Sequence, residues 1–157
     1  MKTLVVFCCI AAFICLMVHC KTSAKPENVS TKTTDSLTAD RSKYANQVLA
    51  QIKGSEQVTV DSVFKNLKVL GGFPAENLII AMERWSEALG VSCDHCHVIN
   101  EWHSDVKPAK NVARQMVNFG ETVNAELRKL QGLKSEKPGV NCFTCHRGEL
   151  KPARRPK

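Results

Sequence analysis

Cys93-Asp94-His95-Cys96-His97, and again Cys142-Phe143-Thr144-Cys145-His146: the chain carries the pattern CxxCH twice. Two thiols separated by two residues within one turn are spaced to add across the two vinyl groups on one edge of a single porphyrin, and the residue that follows then lies under the iron. The pattern is therefore the attachment motif of a c-type haem. Cys93, Cys96, Cys142 and Cys145 are expected to hold two haems through thioethers, with His97 and His146 as proximal axial ligands. Covalent bonds of this kind keep a haem in place even where little protein surrounds it.

A pair of CxxC clips also occurs in zinc ribbons, where four thiolates enclose a structural Zn²⁺. Such a site has no use for a trailing histidine, and here the histidine is present both times. Zinc or a pair of redox disulfides stay as alternatives. The eight cysteines support the haem assignment, because Cys8, Cys9, Cys15 and Cys20 belong to an apolar leader and its end, and the other four are in the motifs. No thiol is left for a disulfide framework.

The leader consists of Lys2 followed by an apolar run from Leu4 to Val18, the n-region and h-region of a secretory signal. Its 15 residues are short of the roughly 20 that a spanning helix needs. Export to the periplasmic side of a bacterial membrane is expected, as haem attachment of this type requires. Cys20, just after the h-region and before a polar Lys/Thr/Ser stretch, resembles a lipoprotein processing site, with the large His19 standing where a small residue is usual. Lipidation at Cys20 would anchor the protein to the membrane; simple cleavage and a retained anchor are the alternatives.

Residues 21–39 (KTSAKPENVSTKTTDSLTA) are polar and without hydrophobic period, which predicts a flexible tether. Residues 40–150 then form one domain, too small to bury a large core without help, and two haems would supply it. The apolar pattern of that domain is helical throughout. A first helix is expected over 40–53, where Tyr44, Val48 and Ile52 recur, with Gly54 as its stop. A second is expected over 61–70, capped by Asp61 and ended by Gly71-Gly72. A third, opened by Pro74 and closed by Gly90, aligns Leu78, Met82, Trp85 and Leu89. The longest should run from Pro108 to about Gln131, with Val112, Met116, Phe119, Val123, Leu127 and Leu130 on one face. The expected fold is all-α, a small multihaem cytochrome c built from a repeated unit of amphipathic helix, turn and CxxCH, with no strand.

A low-spin c haem needs a sixth ligand, and methionine is the usual partner of histidine for electron transfer at raised potential. Beyond the leader the chain has two methionines, Met82 and Met116, each on the apolar face of the helix that precedes one motif. Count and order fit two His/Met haems, although a methionine on an apolar stripe is ordinarily a core residue.

The segments GVSCDHCHV, SDVKPAKNVARQM and GVNCFTCHRG resemble the photosynthetic reaction-centre cytochrome c subunit family, over about Val58 to Glu149. The resemblance implies that a helix bearing the axial methionine precedes each motif, and that the methionine of the ARQM segment, Met116, serves the second haem. Met82 matches the corresponding position for the first. The family's photosynthetic subunit has four haems on a longer chain, and one of them takes a histidine near the end of the long helix; Glu126 to Gln131 contain none. The chain is similar to half of that protein.

His95 and His103 are expected to be solvent-exposed or bonded to a haem propionate rather than to iron. Arg114, Arg147, Lys107 and Lys110 lie near the ligands in sequence and could pair with haem propionates, Arg147 foremost, or be solvated surface charges. The formal net charge of +7 is concentrated in the tail Lys151–Lys157, which would steer an acidic redox partner or anionic lipid. No element suits nucleic acid. The expected function is electron carriage between redox proteins in a respiratory or photosynthesis-related chain, not catalysis; the alternative is a dihaem peroxidase or reductase in which one haem is open and His103, Glu101 and Asp105 line a distal pocket.

Overall fold

The computed structural model describes residues 33–155. The leader, Cys20 and most of the expected tether lie outside these residues. Among the described residues there are five α-helices, one 3₁₀ turn and no strand, only two isolated bridges, Thr59 with Pro74 and Val98 with Glu101. No described helix is long and apolar enough to cross a membrane.

Helix α1 (Thr34–Gln51) starts six residues before the expected Asp40, inside the polar stretch assigned to the tether. Hydrogen bonding of the short hydroxylated side chains explains this. Thr33 is the N-cap and accepts from Ser36 N–H, and Thr38 Oγ1 donates back to the Thr34 carbonyl. Arg41 on this helix is nearly buried, and its guanidinium donates to the Val91 carbonyl at 3.1 Å and to Thr38 Oγ1 at 2.9 Å. A charged group taken out of water needs such partners, and they tie α1 to the segment entering the first motif.

The expected helix over 61–70 is reduced to one turn, α2 (Val60–Val63), and Asp61 does not cap it. Its carboxylate instead accepts from Gly72 N–H at 2.9 Å. The backbone beyond α2 is irregular, with Asn66 at φ 63°, and many of its side chains line the cavity described below. Helix α3 (Ala75–Leu89) follows expectation at both ends, with Pro74 as N-cap and Gly90 as a left-handed C-cap. Ladder-like bonds from Val60 N–H to Phe73 O and from Ala75 N–H to Val58 O fix its start against α2.

The core lies where α1 packs on α3: Ala45, Ile52, Ala75 and Ile79 are buried, with Val48, Leu49, Val63 and Phe64 packed around them. Small residues at 45 and 75 let the two helices approach closely. Helix α4 (Pro108–Leu127) has the expected proline start but ends four residues before Gln131, and helix α5 (Cys142–His146) is the second motif itself.

Candidate haem site

Helix α3 carries Met82, and three residues past its glycine cap the chain enters a 3₁₀ turn, Cys93–His95. This arrangement brings Met82, Cys93, Cys96 and His97 to one cavity of about 510 Å³, within the range of roughly 300–1,000 Å³ typical of small-molecule sites. Its remaining wall is largely apolar, with Ile52, Phe64, Leu78, Trp85 and Leu89 among the contributors. A flat, mostly apolar macrocycle tethered through two thiols fits this donor set.

His97 Nδ1 lies 3.1 Å from the Trp102 carbonyl oxygen. A carbonyl only accepts, so Nδ1 carries the proton and Nε2 keeps its lone pair, the tautomer and orientation an axial ligand requires. Burial, reinforced by Lys110, lowers the His97 pKa, which keeps the imidazole neutral and able to ligate. His146 is held the same way, its Nδ1 at 3.0 Å from the Glu149 carbonyl. The same second-sphere bond at both motifs is what two proximal histidines need.

Burial also raises the pKa of Cys93, Cys96 and Cys142, so these thiols stay protonated at neutral pH. Zinc requires thiolates, four ligands together, and among the described residues no three His, Cys, Asp or Glu side chains converge as a metal ion would need. The four thiols are unpaired. Among the described residues the two CxxC clips do not converge on the single four-thiolate centre of a zinc ribbon.

A polar corner adjoins the cavity. Asp105 binds Lys68 at 2.9 Å, Arg114 at 2.9 Å and Lys110 at 3.3 Å. Hydrogen bonding by Asn66, Lys68, Arg114 and Lys110 holds its carboxyl well below the usual carboxylate range. Two of the three cations are largely shielded, with side-chain exposures of 12% for Lys110 and 11% for Arg114, whereas Lys68 is 56% exposed. Lys110 also donates to the carbonyls of Trp102 and Ser104, and burial lowers its pKa. Lys107 donates to the Asp94 carbonyl, closing the first motif against the start of α4.

The second set of residues is built differently. The segment CFTCH forms α5 because Asn141 and Thr144 make a reciprocal capping box, Thr144 N–H to Asn141 Oδ1 and Asn141 N–H to Thr144 Oγ1, both 3.1 Å. Upstream, the Asn124 side chain on α4 brackets Val140 with two hydrogen bonds, 2.6 Å and 3.0 Å. Helix α5 packs on α3, and Gly148 N–H donates to the Ala88 carbonyl at 2.8 Å. Met116 does not reach the cavity of the first motif. It stands on a face of α4 where Val112, Met116 and Phe119 are 56%, 46% and 60% exposed, and Phe143 on α5 is 52% exposed. An amphipathic helix with no buried residue presents an apolar stripe that an apolar group of comparable breadth would cover.

His95 is partly buried and does not line the cavity, whereas exposed His103 does, its carbonyl accepting from Asn66 Nδ2 at 2.6 Å. Arg147 is exposed in a left-handed conformation at the end of α5. Trp102 and Asn66 had no signal in the sequence; their roles come from a fold-back of loop 98–107 onto the motif, which no periodicity announces.

A family model described as photosynthetic reaction centre cytochrome C subunit matches residues 20–155. The chain is 32% identical over 107 residues to the photosynthetic reaction center cytochrome c subunit of Roseobacter denitrificans, covering 64% of this chain and 28% of that protein. It is 40% identical over 86 residues to cytochrome c-554 of Chloroflexus aurantiacus, covering 52% of this chain and 20% of that protein. It is 26% identical over 113 residues to the reaction center subunit of Thermochromatium tepidum, covering 69% of this chain and 27% of that protein. The matches thus span between 20% and 28% of the length of these relatives. With the match running through the cavity, both CxxCH segments and both methionine-bearing helices, the chain belongs to the photosynthetic reaction centre cytochrome c subunit family.

Proposed function

We propose that the chain is an exported dihaem c-type cytochrome that carries electrons between redox proteins in a respiratory or photosynthesis-related chain. The observation that supports this most is the convergence of Met82, Cys93, Cys96 and His97 on one cavity, with His97 Nδ1 held by a backbone carbonyl. In this reading Cys93 and Cys96 hold one haem c and Cys142 and Cys145 another, with His97/Met82 and His146/Met116 as axial pairs. A c haem, when bound, supplies a one-electron couple whose potential is set by its ligands and surroundings.

The chain's residues do the setting. The carbonyls of Trp102 and Glu149 orient the two imidazoles, and the thioether sulfurs favour the reduced state. The apolar wall around the first site excludes water, and Lys68, Lys110 and Arg114 place positive charge beside it, both of which raise a reduction potential. At the second site the apolar stripe of α4 that bears Met116 would be covered by the haem attached at Cys142 and Cys145. Of the acid–base groups an enzyme with one open haem would use, Asp105 is committed to its three cations, whereas His103 lines the cavity.

The remaining organisation is part of the same proposal: a leader over residues 1–20 with lipidated Cys20, a short tether ending where α1 begins at Thr34, the dihaem domain to 150, and a basic tail over 151–157 that meets an acidic partner or anionic lipid. The relatives named above are reaction center subunits or a cytochrome; for this chain the donor and acceptor are redox proteins of the periplasmic side. Met82→His and Met116→His test the ligation. Each is expected to convert one haem to bis-histidine ligation, to lower one potential and to halve the methionine-to-iron charge-transfer band. A substitution that changed neither spectrum nor potential would return that methionine to the core.

A further inference from the structure

The carbonyl and the indole N–H of Trp102 are treated differently by the structure, which gives partners to the first and none to the second. Its carbonyl accepts from His97 Nδ1 at 3.1 Å and from Lys110 Nζ at 2.8 Å. Its indole Nε1 is buried with no hydrogen-bond partner, one of two such side-chain atoms among the described residues, the other being Ser92 Oγ. A hydroxyl can rotate toward an acceptor, whereas the direction of an indole N–H is fixed by the ring. The Trp102 ring is itself fixed, edge-on to Tyr44 with centroids 6.2 Å apart and to His97 with centroids 5.7 Å apart. An indole N–H is a donor only, and when buried it ordinarily finds an acceptor.

The cavity that Trp102 lines is asymmetric in charge. Lys65, Lys68, Lys110 and Arg114 contribute to its wall against Glu83, and although Asp105 beside the cavity pairs with three of these cations, the balance stays positive. The acceptor that suits an orphaned donor in such surroundings is an anion, and a carboxylate above all, because it accepts from N–H groups and cations together. The polar groups on the periphery of a c haem are its two propionates.

We propose that Trp102 Nε1–H donates to a propionate of the haem attached at Cys93 and Cys96. This inference rests on the haem assignment given above and adds to it a residue with two holds. The Trp102 carbonyl orients the imidazole of His97, and its indole would hold a propionate of the haem that His97 serves. Trp102 is thus a positioning residue through which the ligand and the propionate are set by one rigid ring. A propionate charge spread onto an N–H donor stabilises the ferric state less, so the contact raises the potential of this haem relative to one whose propionate faces water.

Trp102→Phe in the haem-loaded full chain keeps the ring packing on Tyr44 and His97 and the backbone carbonyl, and removes only the N–H and the second ring. The expected result is unchanged haem stoichiometry and an unchanged His/Met spectrum, a lower potential for the first haem only, and a shift of its propionate bending band in resonance Raman. If neither the potential nor the propionate band moves, the inference is overturned. A measurement on the unmutated protein guards against a variant that fails to load. In the diamagnetic ferrous state, a nuclear Overhauser contact is expected between the Trp102 indole proton and a propionate methylene, and its absence from the assigned spectrum overturns the inference by itself. The underlying assignment fails separately, if the native chain carries no thioether-bound haem at Cys93 and Cys96.

Discussion

Replacing Gly90 with alanine would test the joint that sets the second motif against the helix leading to the first. Gly90 caps α3 at φ 65°, and a Cβ there would lie 2.0 Å from the Gly148 carbonyl oxygen and 2.8 Å from its carbon. Carbon–oxygen contacts normally settle at about 3.3–3.6 Å, so one backbone must retreat by more than ~1 Å. The retreat breaks the 2.8 Å bond from Gly148 N–H to Ala88 O, a loss of about 1 kcal/mol. A left-handed alanine adds about 1–2 kcal/mol and the disturbed packing about 1–3 kcal/mol. The control is Gly132→Ala, which has a similar φ of 78° and nothing within 4 Å of the new methyl, and so carries the backbone term alone. Gly90→Ala should therefore unfold with about 2–4 kcal/mol less stability than Gly132→Ala, read from denaturant midpoints by far-UV circular dichroism. Equal losses in the two variants would refute the docking of α5 on α3.

Asp105→Asn should destabilise the chain near neutral pH, because the folded carboxylate titrates below its unfolded value of about 3.9 and so contributes stability above that pH. That contribution fades as pH falls through the folded value, so the gap between native and variant in urea midpoints should narrow below pH ~4; a gap constant with pH would contradict the assignment. Cys20→Ala should shift the protein from the membrane fraction to the soluble fraction or leave its leader unprocessed, and a native protein isolated with Met1 and an unmodified Cys20 would contradict lipidation.

What could be foreseen from sequence depended on whether local chemistry decided the structure. Helix α3 was legible to within a residue because Pro74 and Gly90 punctuate it chemically. The start of α4 was legible for the same reason at Pro108, but its end was not, since the apolar period continues to Leu130 while the Asn124 side chain is spent on Val140. The start of α1 was hidden in a Ser/Thr-rich run whose capping needs only Thr33 and Ser36. Residues 64–70 looked helical by composition, yet they are held open by long-range partners, Asn66 to the His103 carbonyl and Lys68 to Asp105. The motif cysteines, histidines and Met82 could be singled out from type and spacing, and they line one cavity or one short helix. Trp102 could not, because its part is played by a carbonyl and an N–H that only the fold of loop 98–107 brings to His97.

The haem content of the purified holoprotein tests the account most directly. Intact mass spectrometry with peptide mapping should find two covalent haem additions, one on the peptide holding Cys93 and Cys96 and one on that holding Cys142 and Cys145. A single haem, or zinc released in place of haem, would contradict it.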